Sequence, residues 1–178
     1  MLGTPIKLLD LLDYPEYNKT VEELAIKVHN SGFKVDLLIG IMRGGAPIID
    51  VLSRIFKIKC AYLAVESYTG KSIEDNQGDI VFSRELSSTA KNLGGNILLC
   101  DDLSDTGVTL TESIKWLKKY DPIKNNINEI KTAVLWKKKH STFEPDFCAK
   151  KLDTNPWIVQ PFEKYEEIRI EDIKKGTT

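Results

Sequence analysis

Cysteine and histidine are both scarce in this sequence, with three cysteines and two histidines among 178 residues. Cys60, Cys100 and Cys148 are far apart and form no C-x-x-C pair, which is typical of small buried side chains in a reducing compartment. His29 and His140 have no serine, cysteine or second histidine at a useful spacing, and we interpret both as surface or helix-end residues. The G-x-S-x-G, H-E-x-x-H, Walker A and G-x-G-x-x-G motifs are missing as well.

Long apolar runs and an excess of either charge are also absent. No run approaches the roughly 20 apolar residues of a membrane span, and the first residues, Met1 to Tyr14, show no cleavable leader pattern. The 25 basic and 26 acidic residues give a formal net charge of -1, so no global positive field exists to attract nucleic acid. We therefore expect a cytoplasmic protein that binds neither membrane nor nucleic acid.

The residues that are present alternate between helical and strand patterns, and the length suits one domain, 1–178. Helical spacing of apolar residues is found at 21–28, 47–55 and 110–117, and apolar runs at 35–41, 59–65, 96–100 and 130–136. Shorter strands are predicted around Phe147 and Trp157, and a long loop at 66–79. This alternation predicts an α/β fold with a mostly parallel, doubly wound sheet and helices on both faces.

The most informative segment follows the apolar run at 96–100, because ligands of such sheets bind beyond the carboxyl ends of the strands. It carries three acids, two threonines and a glycine: Asp101, Asp102, Asp105, Thr106, Gly107 and Thr109. The hydroxyls and the free N–H groups of the next helix suit a phosphate, while the acids suit sugar hydroxyls or a cation. A simple helix cap is the alternative, but a cap accounts for only one of the acids.

The stretch from Leu98 to Leu110 resembles the phosphoribosyl pyrophosphate (PRPP) motif of the type I phosphoribosyltransferases. The shared pattern is an apolar strand, two acids, two mostly apolar positions and then Asp-Thr-Gly-x-Thr. The resemblance implies that Asp101 and Asp102 hold the ribose hydroxyls of PRPP. The loop that it assigns to the 5'-phosphate consists of Asp105, Thr106, Gly107, Val108 and Thr109.

Two further segments resemble parts of the same family. Arg43 and Gly44 follow the first strand and are similar to the family's pyrophosphate-binding loop, which is often built around a cis peptide. A forked guanidinium also suits phosphate oxygens on chemical grounds alone. Ser67 and Tyr68 resemble the Ser-Tyr pair on the flexible lid of the purine branch.

The C-terminal part resembles the base-binding hood of the xanthine–guanine and hypoxanthine–guanine phosphoribosyltransferases. By this resemblance Lys137 bonds the exocyclic oxygen of a 6-oxopurine, Trp157 stacks on its ring, and Ile158 contacts the base through its backbone. Lys137 begins a run of three lysines, so Lys138 remains an alternative for the purine lysine. Glu163 stands where the family generally has an aspartate bound to a second magnesium.

Together these matches imply a type I fold with a core at about 30–136 and a small hood, from about 137–178, that includes the N-terminal segment. The implied reaction is purine salvage, in which the 5-phosphoribosyl group of PRPP passes to xanthine, guanine or hypoxanthine. Asp105 is the candidate general base, and Mg²⁺ is expected on Asp101, Asp102 and Glu163. Relatives imply a homodimer or homotetramer.

Two alternatives to this function stay open. One is a phosphoribosyltransferase that acts on another base. The other is a non-catalytic regulator that senses PRPP or a nucleotide.

Overall fold

The structure is a computed structural model that describes residues 12–67 and 80–176. The described strands are β1 Leu37–Met42, β2 Cys60–Ser67, β3 Ile80–Phe82, β4 Ser87–Ser88, β5 Gly95–Ser104, β6 Ile127–Lys137 and β7 Phe147–Lys151. The described helices are α1 Tyr14–Asn30, α2 Gly45–Phe56, α3 Val108–Lys119, α4 Lys164–Glu167 and α5 Ile170–Lys174. Within these residues, no helix combines the length and apolar character needed to cross a membrane.

The sheet is mostly parallel, as predicted. Its strand order is β3-β2-β1-β5-β6-β7, with the short β4 also paired to β2. The pairs β2–β1, β1–β5, β5–β6 and β6–β7 are parallel. Strands β3 and β4 run antiparallel to β2. In this order β2 lies on one side of β1, and β5 lies on the other side. The strand order therefore reverses at β1.

Helices cover both faces of this sheet, because alternate side chains of each strand point to opposite sides. Leu38 and Leu98 are buried on one face among residues of α1 and α2, such as Leu24. Leu37 and Ile97 are buried on the other face with residues of α3. This double coverage explains the nearly continuous apolar runs of β1 and β5.

The first helix begins at Tyr14, earlier than the apolar spacing at 21–28 indicates, and ends at Asn30. Asp13 caps α1 by accepting a hydrogen bond from the Glu16 N–H at 2.8 Å, and Pro15 lies in the first turn. Gly32, the predicted stop, follows the helix with a positive φ of 75°. Its buried stripe includes Val21, Leu24, Ala25 and Val28, as the spacing predicts.

Other expectations need correction. No strand is formed around Trp157, where the described chain has only an isolated bridge at Ile158. The apolar run at 96–100 underestimates β5, which continues through the polar residues to Ser104 because β6 pairs with it along that length. Glu66 belongs to β2 rather than to a loop, whereas residues 68–79 of that predicted loop lie outside the described residues.

The central strand β5 provides a test of the core. Replacing the fully buried Leu98 by alanine is expected to lower the free energy of unfolding by about 2–5 kcal/mol, because the removed methyl groups leave a cavity. Ile26→Ala, on the exposed side of α1, is the control and should change it by less than about 0.5 kcal/mol. Urea unfolding followed by circular dichroism measures both; equal losses would contradict the assigned core.

Candidate active site

The point where the strand order reverses lies between β1 and β5, and open α/β sheets bind ligands at such a point. Because β1, β5 and β6 are parallel, their carboxyl ends meet at one edge of the sheet. Arg43, Asp102 and Lys138 stand at these three ends. The structure therefore brings together three segments that the sequence analysis singled out separately.

The turn after β1 lies in close contact with the end of β5, next to Asp102. A Cβ atom built on Gly44 would overlap the Asp102 carboxylate, and one built on Gly45 would overlap the Cys100 carbonyl oxygen. The peptide bond between Met42 and Arg43 is cis, as the family resemblance implies. The two glycines thus allow β1 and β5 to end in close contact.

Asp101 and Asp102 occupy different environments although they are neighbours. Asp101 is 8% exposed, and its Oδ1 accepts a hydrogen bond from the Asp102 N–H at 3.0 Å. Burial, followed by the nearby charge of Asp102, raises the pKa of Asp101 well above its usual range. Asp102 is half-buried and lies beside Gly44 at the ligand edge.

The loop between β5 and α3 leaves the start of the helix open. Gly107 precedes α3 with a φ of 89°, and no side chain caps the helix from that position. A Cβ at Gly107 would overlap the Phe143 side chain, so glycine is required on two grounds. Thr106 Oγ1 accepts a bond from the Val108 N–H at 3.3 Å, and Thr109 lies half-buried in the first turn. The helix start is suited to an anion.

Asp105 lies between Lys138 and His140, two side chains from the turn after β6. Lys138 Nζ is 3.1 Å from its Oδ2, and His140 Nε2 is 2.6 Å from its Oδ1. The Lys138 side chain is only 7% exposed, whereas the Asp105 side chain is 49% exposed. Asp105 therefore presents a carboxylate that a ligand can reach and that is held from two sides.

The two candidate lysines, Lys137 and Lys138, have different partners in the structure. Lys137 is the last residue of β6, and its Nζ lies 3.2 Å from Glu144, away from Asp105. Lys138 is the first residue beyond the strand, and its N–H donates to the Ser104 carbonyl at 3.1 Å. The end of the β5–β6 pairing thus decides which lysine enters the site.

The hood segment supplies an aromatic surface above this lysine. Trp157 is 63% exposed, and Lys138 Nζ lies 5.8 Å from the centre of its ring. Ile158 is buried, at 8% exposure. An exposed indole face beside a lysine and a carboxylate suits a planar, polar ligand.

The same segment returns to the acids of β5 through Gln160. Its side chain is 3% exposed, and its Nε2 donates to Asp102 Oδ2 and approaches Glu163 Oε1 at 3.5 Å. Burial raises the pKa of Glu163, and the charges of Asp102 and Glu166 act in the same direction. Glu163 therefore lies near Asp102, and the Gln160 amide lies between them.

The pyrophosphate residues are less enclosed. The Arg43 side chain is 82% exposed and pairs with Glu166 at 2.7 Å, an exposed contact that a phosphate ligand can readily replace. Ser67 ends β2, whereas Tyr68 lies outside the described residues. The lid assignment of these two residues stays a prediction.

Sequence reasoning missed His140 and Gln160. His140 is a surface residue, as interpreted, with its side chain 42% exposed, but its contact with Asp105 was missed. A signal was available, because residues just after a parallel strand lie at the ligand edge. Gln160 lay within the hood motif but carried no recognisable chemical signal of its own.

The geometry defines two halves of one site. Asp102 and Glu163, joined by Gln160, form an acidic half suited to sugar hydroxyls. Lys138, Asp105 and Trp157 form a half suited to a planar group with both an acceptor and a donor.

Comparison with known proteins shows the family of this chain. Residues 8–167 match the family model of the phosphoribosyl transferase domain. The chain therefore belongs to the phosphoribosyltransferase family and is a transferase enzyme. No curated protein matches it.

Solved structures of the same fold cover nearly the whole chain. A purine phosphoribosyltransferase from Pyrococcus horikoshii has a TM-score of 0.70 at 28% identity, covering 90% of this chain and 97% of that one. A xanthine-guanine-hypoxanthine phosphoribosyltransferase from Helicobacter pylori has a TM-score of 0.67 at 23% identity, covering 92% and 96%. An orotate phosphoribosyltransferase from Aeropyrum pernix has a TM-score of 0.57 at 17% identity, covering 79% and 73%.

The contact between Gly44 and Asp102 can be tested without a ligand. Gly44→Ala is expected to lower the free energy of unfolding by about 1–3 kcal/mol, because the added methyl group displaces the carboxylate. The same change in an Asp102→Ala background should cost much less, since the overlapping atoms are gone. Urea unfolding of the four proteins in this cycle measures the coupling, and equal costs in both backgrounds would refute the contact.

Proposed function

We propose that this enzyme transfers the 5-phosphoribosyl group of PRPP to a 6-oxopurine in purine salvage, giving a nucleoside monophosphate and pyrophosphate. The observation that carries the proposal is the convergence of Lys138, Asp105 and Trp157 at the switch point of the sheet. Xanthine, guanine and hypoxanthine are the candidate bases. The purine enzymes among the similar structures support this substrate class.

The base would stack on Trp157 with its exocyclic oxygen towards Lys138. A lysine ammonium can only donate hydrogen bonds, so it suits an oxo group and disfavours the amino group of adenine. Asp105 would accept the proton of the purine ring nitrogen. The backbone at Ile158 is proposed to complete the contacts to the base.

PRPP would bind across the ends of β1 and β5. Asp101 and Asp102 would take the ribose hydroxyls, and the 5'-phosphate would bind at the open start of α3, between Asp105 and Thr109. Arg43 and Gly44 would hold the pyrophosphate, with Ser67 and Tyr68 closing over it. The exposed guanidinium of Arg43 supports this part of the proposal, because it faces no buried partner that a ligand would have to displace.

The residues present fit Mg²⁺, which the family implies. Asp101, Asp102 and Glu163 offer carboxylate oxygens, but no group of three or more His, Cys, Asp or Glu in the described part of the chain is arranged to hold a metal by itself. Such an incomplete set suits Mg²⁺, which usually keeps waters and shares substrate phosphates. When bound, the ion would offset negative charge on pyrophosphate.

In the proposed reaction the purine nitrogen forms a bond to C1' as the bond from C1' to the pyrophosphate oxygen breaks. The proton of the attacking nitrogen passes to the Asp105 carboxylate, and pyrophosphate leaves with the electron pair. Arg43 and the backbone N–H groups would stabilise the charge that grows on the leaving group. The remaining contribution of the protein is to hold the base in line with C1'.

Cytoplasmic location and a homodimer or homotetramer remain part of the proposal. No observation of the described residues favours the regulator alternative, and all three acids of the PRPP motif stand at the ligand edge.

The substrate class is tested by measuring pyrophosphate release from PRPP with Mg²⁺ and one base at a time. Xanthine, guanine, hypoxanthine, adenine, uracil and orotate form the panel. Release is expected with at least one of the three 6-oxopurines and little with the others, because of the lysine donor. Release with adenine or orotate alone would overturn the assigned base. If no base leads to pyrophosphate release while calorimetry still detects PRPP binding, the result would favour the non-catalytic regulator.

The role of Lys138 is tested against its neighbour. Lys138→Met is expected to lower kcat/KM for the best 6-oxopurine roughly tenfold to hundredfold, the effect of losing one charged hydrogen bond. Lys137→Met is the matched control and should leave kcat/KM unchanged, because Lys137 pairs with the exposed Glu144. The reverse order of the two losses would restore Lys137 as the base-binding lysine.

A further inference from the structure

Gln160 is a buried amide at the meeting point of the hood and the PRPP motif. It lies in the segment between Trp157 and α4, and its side chain is 3% exposed. Burial of a polar side chain is costly unless its hydrogen bonds are satisfied. Its contacts therefore indicate why an amide stands there.

The amide nitrogen of Gln160 faces two carboxylates from different parts of the chain. Nε2 donates to Asp102 Oδ2 at the end of β5, and it lies 3.5 Å from Glu163 Oε1 in the hood. Carboxylates only accept hydrogen bonds, which fixes the nitrogen, rather than the oxygen, on their side. Among the described residues, no other side chain donates a hydrogen bond to Asp102.

The Gln160 amide that bridges Asp102 and Glu163 is neutral, and a neutral bridge affects the two carboxylates differently from a cationic one. An amide orients the carboxylates through hydrogen bonds but leaves their negative charge in place, whereas lysine or arginine would neutralise it. The two acids repel each other, and the bridge offsets part of that repulsion. The pair stays available to a positive ligand.

The backbone around Gln160 keeps the amide in position. Its carbonyl oxygen accepts a bond from the Glu163 N–H at 3.0 Å, and the preceding residue, Val159, accepts one from the Leu12 N–H at 3.2 Å. The neighbouring Ile158 and Pro161 are buried. A rigid support of this kind is what a precisely placed donor requires.

The second polar atom of the amide has no partner. Gln160 Oε1 is buried and accepts no hydrogen bond within the described part of the chain. An unsatisfied buried acceptor typically costs about 1–3 kcal/mol, so a ligand that donates to it would gain affinity. A ribose hydroxyl or a water on a bound cation has the required donor.

We propose that Gln160 is a positioning residue that holds Asp102 and Glu163 for the Mg²⁺-bound ribose pyrophosphate. This inference rests on the proposed function, because it concerns the same ligand. It assigns to the hood a part in binding PRPP, besides its part in binding the base. Residues that orient metal ligands in this way typically contribute 10–100-fold in metal affinity or activity.

The test compares Gln160→Met, which keeps the length and removes both donors, with the wild type. Titration calorimetry of PRPP in saturating Mg²⁺ should give a Kd that is roughly 10–100-fold higher for the variant. If Gln160→Met does not fold, Gln160→Glu replaces it in the titration. This variant keeps the shape of the side chain but adds negative charge between two acids. Asn96→Leu is the control and should keep the wild-type Kd. It loses the hydrogen bond that the Asn96 side chain donates to the Lys34 carbonyl, at the opposite end of β5.

Two further measurements separate positioning from a general loss of structure. The KM for PRPP should rise while the KM for the purine stays near the wild-type value, because the Gln160 amide bonds to Asp102 and Glu163, whereas Lys138 pairs with Asp105. Electron paramagnetic resonance of Mn²⁺ with PRPP should detect less bound metal in the variant. Equal PRPP and Mn²⁺ binding in variant and wild type would overturn the role of Gln160 alone. Failure of the wild type to bind PRPP would overturn the proposed function, and this inference with it.

Discussion

The close approach of Gly44 to the Asp102 carboxylate is the contact on which the candidate site depends. It sets the distance between the ends of β1 and β5, the two strands that flank the reversal of strand order. A side chain at Gly44 would push the acid out of the position in which Gln160 holds it. The parallel sheet provides the edge, but this contact decides how the two turns share it.

Charge is distributed unevenly along that edge, and the distribution matches two kinds of ligand. Near β1 and β5, the side chains of Asp102 and Glu163 are bridged by a neutral amide. Near β6, Asp105 is flanked by Lys138 and His140. A cation and sugar hydroxyls suit the first half and a polar base suits the second, so one site can bind two substrates side by side.

The fold and the chemical groups in the loop after β5 were largely predictable because both depend on local patterns. Runs such as 96–100 identify buried strands, and the acids and glycine after β5 retain their chemistry in any arrangement of the chain. Predictions failed where pairing between distant segments decides the outcome. Trp157 has strand-like neighbours but forms no ladder. The sequence left Lys137 and Lys138 as alternatives, because which of them contacts Asp105 depends on where β6 stops pairing with Ser104.

The sequence by itself determined which chemical groups are present, and it determined the order in which strands and helices follow one another along the chain. Apolar periodicity and the Asp-Asp and Asp-Thr-Gly-x-Thr patterns are enough for that, because they act over a few residues. Only the tertiary structure decided which lysine enters the site, that His140 contacts Asp105, and that Gln160 joins the hood to Asp102. These contacts connect residues separated by about 33 to 58 positions, and such distances are closed only when the sheet and the hood pack together.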